Sequence, residues 1–270
     1  MDALPRLLEP EALEEALGRP DVLIVDLSRP STYAQAHIPG AIHMYYSQLT
    51  LGRRPAPGLL PSPEDLGARL SALGLRRDLH VVAYDDEGGG NASRLLWTLE
   101  TIGHTRYSLL NGGLHAWANE AHPLEQTPNR PTESRFEVRG FGPAHIAIDD
   151  LLARLERSDI ALLDSRSPGE FIGSQRYAAR SGHIPGAVNI EWTRFMDQER
   201  NLRLLPAPAI KGLLADVGIS PDKEVITYCQ THHRSSHTWM VLTSLGYPRV
   251  RGYAGAWSEW GNRGDTPIET

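Results

Sequence analysis

Val225-Ile226-Thr227-Tyr228-Cys229-Gln230-Thr231-His232-His233-Arg234-Ser235-Ser236 reads as three pieces in succession. An apolar, β-rich run ends at Tyr228, a polar loop follows, and a helical pattern starts at Ser235. A strand feeding a loop and then a helix is the repeating unit of a parallel sheet covered by helices. Cys229 therefore stands just past a strand end, in front of a helix N-terminus. Backbone N–H groups and the helix dipole stabilise negative charge there, and Arg234 adds a cation. The pattern predicts a thiol with a lowered pKa, partly thiolate at neutral pH. A lone cysteine is more often a small buried hydrophobe. Its place beyond the strand, among polar, imidazole and cationic neighbours, favours the reactive reading.

Outward from this stretch the chain repeats itself. Val22-Leu23-Ile24-Val25-Asp26-Leu27 and then His37-Ile38-Pro39-Gly40-Ala41 correspond to Ile160-Ala161-Leu162-Leu163-Asp164-Ser165 and His183-Ile184-Pro185-Gly186-Ala187. His80-Val81-Val82-Ala83-Tyr84-Asp85 matches Glu224-Val225-Ile226-Thr227-Tyr228-Cys229, and Gly112-Gly113-Leu114-His115-Ala116-Trp117 matches Gly255-Ala256-Trp257-Ser258-Glu259-Trp260. Matched blocks in the same order, half a chain apart, mean two domains and not a solenoid of short units. Residues 126–143, with Pro128, Asn129, Pro131, Gly140 and Gly142, have a linker's composition. The expected division is an N-terminal domain over 1–125, a linker over 126–143 and a C-terminal domain over 144–270. Amphipathic helices are expected over residues 11–17, 63–73 and 207–217. Ligands of such sheets bind beyond the carboxyl ends of the strands, where Cys229 lies.

The other repeated residues read as structure. In His-Ile-Pro-Gly-Ala, proline fixes φ, glycine relieves crowding, and the imidazole is expected to bond to nearby backbone. Asp26 and Asp164 are expected to order the loops after their strands. The loop Asp85-Asp86-Glu87-Gly88-Gly89-Gly90 reads as flexible and solvated, with support at a domain boundary as the lesser alternative. Trp257 and Trp260 read as core, and Trp192 as a candidate wall of the pocket.

Composition sets outer limits. With 40% hydrophobic and 22% charged residues the chain is ordinary globular protein. No apolar run approaches the roughly 18 residues of a membrane helix. The start, Met1-Asp2-Ala3-Leu4-Pro5-Arg6, lacks the basic and apolar regions of a secretory leader. One cysteine permits no internal disulfide, so a cytoplasmic location is expected. A net charge of −6 argues against generic nucleic-acid binding.

Both halves resemble the rhodanese domain, on the Asp-plus-His-Ile-Pro-Gly-Ala blocks, the six-residue loop after Tyr228, and Gly255-Ala256-Trp257-Ser258-Glu259-Trp260. The resemblance implies an α/β fold of two tandem rhodanese-like domains, each a parallel sheet flanked by helices. The loop Cys229-Gln230-Thr231-His232-His233-Arg234 is similar to that of a bacterial thiosulfate:cyanide sulfurtransferase branch. It implies a catalytically silent first domain, and here Asp85 takes the position of Cys229. It further implies a nucleophilic Cys229 and a substrate pocket formed by Gln230, Thr231, His232, His233 and Arg234, with no cofactor and no metal. The loop has neither the basic residues that directly follow the cysteine in thiosulfate-preferring relatives nor the Cys-Gly-Ser-Gly of mercaptopyruvate-preferring ones. A basic donor-holding residue of some relatives falls here on Pro185; Arg180 stands close enough in sequence to fill that role.

The implied reaction moves sulfur from thiosulfate to cyanide, a thiol or a sulfur-accepting protein through a persulfide on Cys229. With no second thiol, nothing internal discharges that persulfide as a disulfide. Four alternatives stand beside it. A 3-mercaptopyruvate sulfurtransferase shares the chemistry. A cysteine-dependent phosphatase of this fold has one more residue between Cys and Arg than the four here. A zinc site would draw on Cys229, His232, His233 and His237, although consecutive imidazoles point apart. A non-catalytic scaffold is disfavoured because the thiol is kept.

Overall fold

The computed structural model describes residues 4–270; residues 1–3, on which the leaderless reading partly rests, lie outside them. In the first half β1 (Leu7–Leu8), α1 (Pro10–Glu14), β2 (Val22–Asp26), α2 (Pro30–Gln35), β3 (Ile42–His43), α3 (Pro63–Ala72), β4 (His80–Tyr84), α4 (Gly90–Thr101), β5 (Tyr107–Leu110) and α5 (Gly113–Asn119) follow one another. The second half has α6 (Ile148–Leu152), β6 (Ile160–Asp164), α7 (Pro168–Phe171) and β7 (Val188–Asn189). A hairpin of β8 (Met196–Asp197) and β9 (Arg203–Leu204) comes next. Then come α8 (Ala207–Asp216), β10 (Glu224–Tyr228), α9 (Arg234–Ser244), β11 (Val250–Gly252) and α10 (Ala256–Trp260).

Apart from the antiparallel β8–β9 pair, the strands form two parallel sheets, ordered β1-β5-β4-β2-β3 and β11-β10-β6-β7. Short apolar runs such as Val81-Val82-Ala83 and Val225-Ile226-Thr227 are buried throughout, as strands sandwiched between helices must be. In the second sheet the chain runs from β6 outward to β7, then returns to lay β10 on the other side of β6. The order reverses between β6 and β10, so their carboxyl ends flank a topological switch point, the place where open α/β sheets bind ligands. Asp164 ends one of these strands and Tyr228 the other, paired in register, and Cys229 is the next residue.

Helices α3 and α8 lie where their periodicity places them. α1 ends at Glu14, before the expected residue 17, and the chain turns at Gly18 with φ +75. Trp257 and Trp260 are core, packed with Tyr228, Tyr253, Ile184 and Ile226.

The chain divides into two compact units that do not follow the halves of the sequence. Residues 50–60 belong with the second unit, and 196–204, which contain the β8–β9 hairpin, with the first. Residues 126–142 also belong to the first unit, without helix or strand: Phe136 is buried, its N–H donates to Ser71 Oγ at 2.9 Å, and Asn129 N–H donates to Tyr33 Oη at 3.1 Å.

The two His-Ile-Pro-Gly-Ala blocks are built alike. His37 Nδ1–H donates to Tyr33 O at 2.7 Å and His183 Nδ1–H to Phe171 O at 2.9 Å, and each imidazole stacks on the ring of that same residue. The following N–H donates to the tyrosine ending the neighbouring strand, Ile38 to Tyr84 Oη and Ile184 to Tyr228 Oη. This is the structural role expected of the motif.

Candidate active site

β10 delivers the chain to the switch point and α9 carries it away; the loop between them folds back on its own sulfur. Cys229 is fully buried. Burial pushes its thiol pKa up, but the Arg234 charge and hydrogen bonds from the Ser235 hydroxyl, the Ser235 N–H and the Thr231 N–H outweigh it, and the thiol is held below its ordinary value. The loop is kept in shape from outside. Cys229 O accepts Trp257 N–H at 2.9 Å and Gln230 O accepts Ser258 N–H at 3.0 Å, both from the first turn of α10. His232 has a left-handed backbone (φ +57), which turns the loop towards the helix, and its Nδ1 lies 2.7 Å from Ser235 Oγ. Ser235 thus stands between an imidazole and the thiol.

Arg234 opens α9, and its guanidinium forms a two-pronged pair with Glu170, at 2.6 and 2.9 Å. Glu170 is itself held by a capping box, accepting from the Ser167 N–H and hydroxyl at 3.1 and 3.0 Å. Burial pushes the Glu170 carboxyl up, and the Arg234 pair more than offsets that, leaving it below the usual range. Behind the loop, Asp164 takes Arg166 Nε and Nη2 in a wholly buried pair, with the guanidinium 4.5 Å from the Trp257 ring centroid. Asp26 accepts the Ser28 N–H at 2.6 Å, so both aspartates order the loops after their strands.

His237, one turn into α9, is buried with neither ring nitrogen hydrogen-bonded, and burial, aided by His233, pushes its imidazole down to about 3. Trp192 stands edge-on to His233 and His237, at 5.6 and 5.4 Å between centroids. Among the described residues, Cys229, His232, His233 and His237 do not converge as a metal-binding group.

In the first unit the corresponding loop is closed by a carboxylate. Asp85 accepts N–H from Glu87 and Gly89 on one oxygen, at 3.0 and 2.8 Å, and from Ala92 on the other at 2.9 Å. Burial, with the Glu87 charge, pushes this carboxyl up to about 6 despite those donors. The loop is therefore not the flexible, solvated one its composition suggests. Gly88, Gly89 and Gly90 are buried, and Asp86 pairs with Arg29 at 2.8 Å. An internal anion fills the amide cradle.

A rhodanese-like domain model matches residues 9–120 and again 147–263. The chain belongs to the rhodanese-like domain family. A thiosulfate sulfurtransferase from Pseudomonas aeruginosa is 47% identical, over 98% of this chain and 97% of that one. One from Azotobacter vinelandii is 47% identical over 99% and 98%. A 3-mercaptopyruvate sulfurtransferase from Escherichia coli is 30% identical over 95% of each. Among solved structures, an anaerobic ergothioneine biosynthesis enzyme from Chlorobium limicola, in complex with trimethyl histidine, superposes with TM-score 0.87 at 25% identity, covering 98% of this chain and 70% of that one. A further structure, with ergothioneine covalently linked to a persulfide cysteine, does so with TM-score 0.87 at 25% identity over 100% and 72%.

Of the residues singled out in this rhodanese loop, Thr231 meets the thiol through its N–H, His232 through Ser235, and Arg234 through its charge. Gln230 turns aside, donating from Nε2 to Tyr177 O at 3.1 Å. Arg180 is not brought to the loop. Its guanidinium donates to the carbonyls of Trp260, Arg263 and Thr266 and to the Thr266 hydroxyl, and so ties down the segment after α10. Two contributors escape a linear reading. Ser235 looks like an ordinary first-turn helix residue. Glu170 is visible only as the last member of a Ser-Pro-Gly-Glu capping signature, 64 residues from its arginine.

Proposed function

We propose that the chain is a thiosulfate sulfurtransferase that works through a persulfide on Cys229. One observation carries this: a wholly buried thiol is nonetheless held below its ordinary pKa by amides, a hydroxyl and a cation, at the switch point of the sheet. This environment favours the thiolate, the nucleophilic form. It attacks the outer sulfur of thiosulfate; the sulfur–sulfur bond of the donor breaks, and sulfite leaves with the bonding pair. Cyanide then attacks the outer sulfur of the persulfide and departs as thiocyanate, regenerating the thiolate. The Thr231 and Ser235 N–H groups and the Ser235 hydroxyl stabilise the anion at each stage. Arg234 supplies the positive potential that draws in an anionic donor, while Glu170 holds its fork in one orientation.

Thiosulfate is the proposed donor because the relatives of that name are 47% identical and that named for 3-mercaptopyruvate 30%. Loop size argues against the phosphatase reading, since four residues between Cys229 and Arg234 leave a tighter cradle. The division proposed is a silent first domain over 1–125 with Asp85 in place of the thiol, a linker over 126–143, and a catalytic domain over 144–270. Thiols and a sulfur-accepting protein are the alternative acceptors. A cytoplasmic site of action suits a lone thiol that must stay reduced, and among the described residues no helix is long and apolar enough to cross a membrane.

Steady-state thiocyanate formation tests the reading. Wild type should follow ping-pong kinetics, and Cys229→Ser should form no thiocyanate above the uncatalysed background. A serine variant that kept the activity would remove the proposal.

A further inference from the structure

Residues 50–60 come from the first half of the sequence but pack within the second unit, against the active loop. They form a strap closed on itself: Leu51 N–H donates to Leu59 O at 2.7 Å and Gly52 N–H to Pro57 O at 3.0 Å. Gly58 seats it. A Cβ at this position would lie 2.8 Å from Ala254 O and closer still to Thr231 O, so the strap backbone reaches the loop only because this residue has no side chain. The tip of the strap carries Arg53 and Arg54, both exposed.

Arg54, Pro55 and Pro57 of the strap line a cleft of about 420 Å³ together with Tyr177, Gln230 and Thr231. Thr231 belongs to both places, since its N–H faces the Cys229 thiol. Among the described residues Arg54 has no ion-pair partner, whereas the loop's other cations are committed, Arg234 to Glu170, Arg166 to Asp164 and Arg180 to backbone carbonyls. Tyr177, 65% exposed, lines the same cleft. The cleft falls in the range of roughly 300–1,000 Å³ that holds organic ligands, far larger than cyanide or thiosulfate requires.

We propose that this cleft is the subsite for the sulfur acceptor, and that Arg54 selects organic thiols bearing a carboxylate. The inference rests on the persulfide reading above. The acceptor thiolate attacks the outer sulfur of the Cys229 persulfide. A new sulfur–sulfur bond forms, the bond to Cys229 Sγ breaks, and Cys229 leaves as thiolate while the acceptor departs as its own persulfide. Electrons balance without any oxidant. Arg54 holds the carboxylate and touches no reacting sulfur, so it determines specificity and is not a catalytic residue.

The test uses the full chain, loaded with thiosulfate and freed of excess donor, with persulfide loss followed by intact mass against acceptor concentration. Wild type, Arg54→Ala and Arg54→Lys are each discharged by mercaptosuccinate and by 2-mercaptoethanol. A partly exposed ion pair contributes up to about 1 kcal/mol. Arg54→Ala should therefore lower the mercaptosuccinate rate about three- to five-fold relative to the 2-mercaptoethanol rate, and Arg54→Lys should restore most of that ratio. An unchanged ratio would overturn the proposal. So would slower loading by thiosulfate with normal discharge, because the cleft would then serve the donor. Failure of wild type to load would overturn the persulfide reading itself, and it is seen before any acceptor is added.

Discussion

Cys229 has its pKa lowered by groups that can be removed one at a time, so each removal has a definite sign. Burial raises the thiol pKa, and the Arg234 charge is the largest of the influences that lower it. Arg234→Gln keeps the burial and loses the cation, so the pKa should climb above that of wild type, and iodoacetamide alkylation should need more alkaline pH. The same substitution leaves the Glu170 carboxylate without its cation in a partly buried site and should cost about 1–3 kcal/mol in urea unfolding. His237 is a second residue with a clear sign. Its imidazole falls from 6.5 to about 3 on folding, through burial first and His233 second. The unfolded chain binds that proton first as pH drops, so stability is lost between about pH 6.5 and 3, at up to about 1.4 kcal/mol per pH unit. Amide exchange of the second unit should show that slope in wild type and a shallower one in His237→Leu; equal slopes would remove His237 as the cause.

At the scale of elements, the strand–loop–helix run around Cys229 was legible because apolar runs and amphipathic periods differ in length and spacing. So were α3, α8 and the start of α9. The expectation for α1 runs too far because apolar spacing continues through Ala16 and Leu17, past Glu14, where the helix gives way to the turn that closes at Gly18. The strap was not legible, since nothing local in Leu51-Gly52-Arg53-Arg54-Pro55 tells which unit it will pack on. Nor was the assignment of Arg180, whose proximity in sequence to His183 hid its bonds to residues 80 to 86 positions away. The strap carries its own prediction. Gly58→Ala forces a methyl onto the Thr231 and Ala254 carbonyls, and overpacking of this kind costs about 1–3 kcal/mol. Because Thr231 also faces the thiol, the variant should load persulfide several-fold more slowly, whereas Gly212→Ala, in the open on α8, should load normally. Equal loading in both would show that the strap does not shape the loop.

Over the whole molecule, the same unit occurs twice with different groups in its loop, and the matched sequence blocks make that duplication readable from the sequence. The acidic first loop looked solvated by composition, but it is buried because its own Asp85 carboxylate takes the place of a bound anion. Restoring a thiol there should not restore function. Gly90 stands where Arg234 stands in the second unit, so Asp85→Cys lacks the cation, and its thiosulfate-treated mass should still rise by one sulfur and not two. The most direct test of the account is the intact mass of the wild-type chain, taken before thiosulfate, after it, and again after cyanide, beside Cys229→Ala. A persulfide cycle on Cys229 requires a gain of one sulfur atom, its loss to cyanide with release of thiocyanate, and no change in the variant. No gain in wild type, or an equal gain in Cys229→Ala, would contradict it.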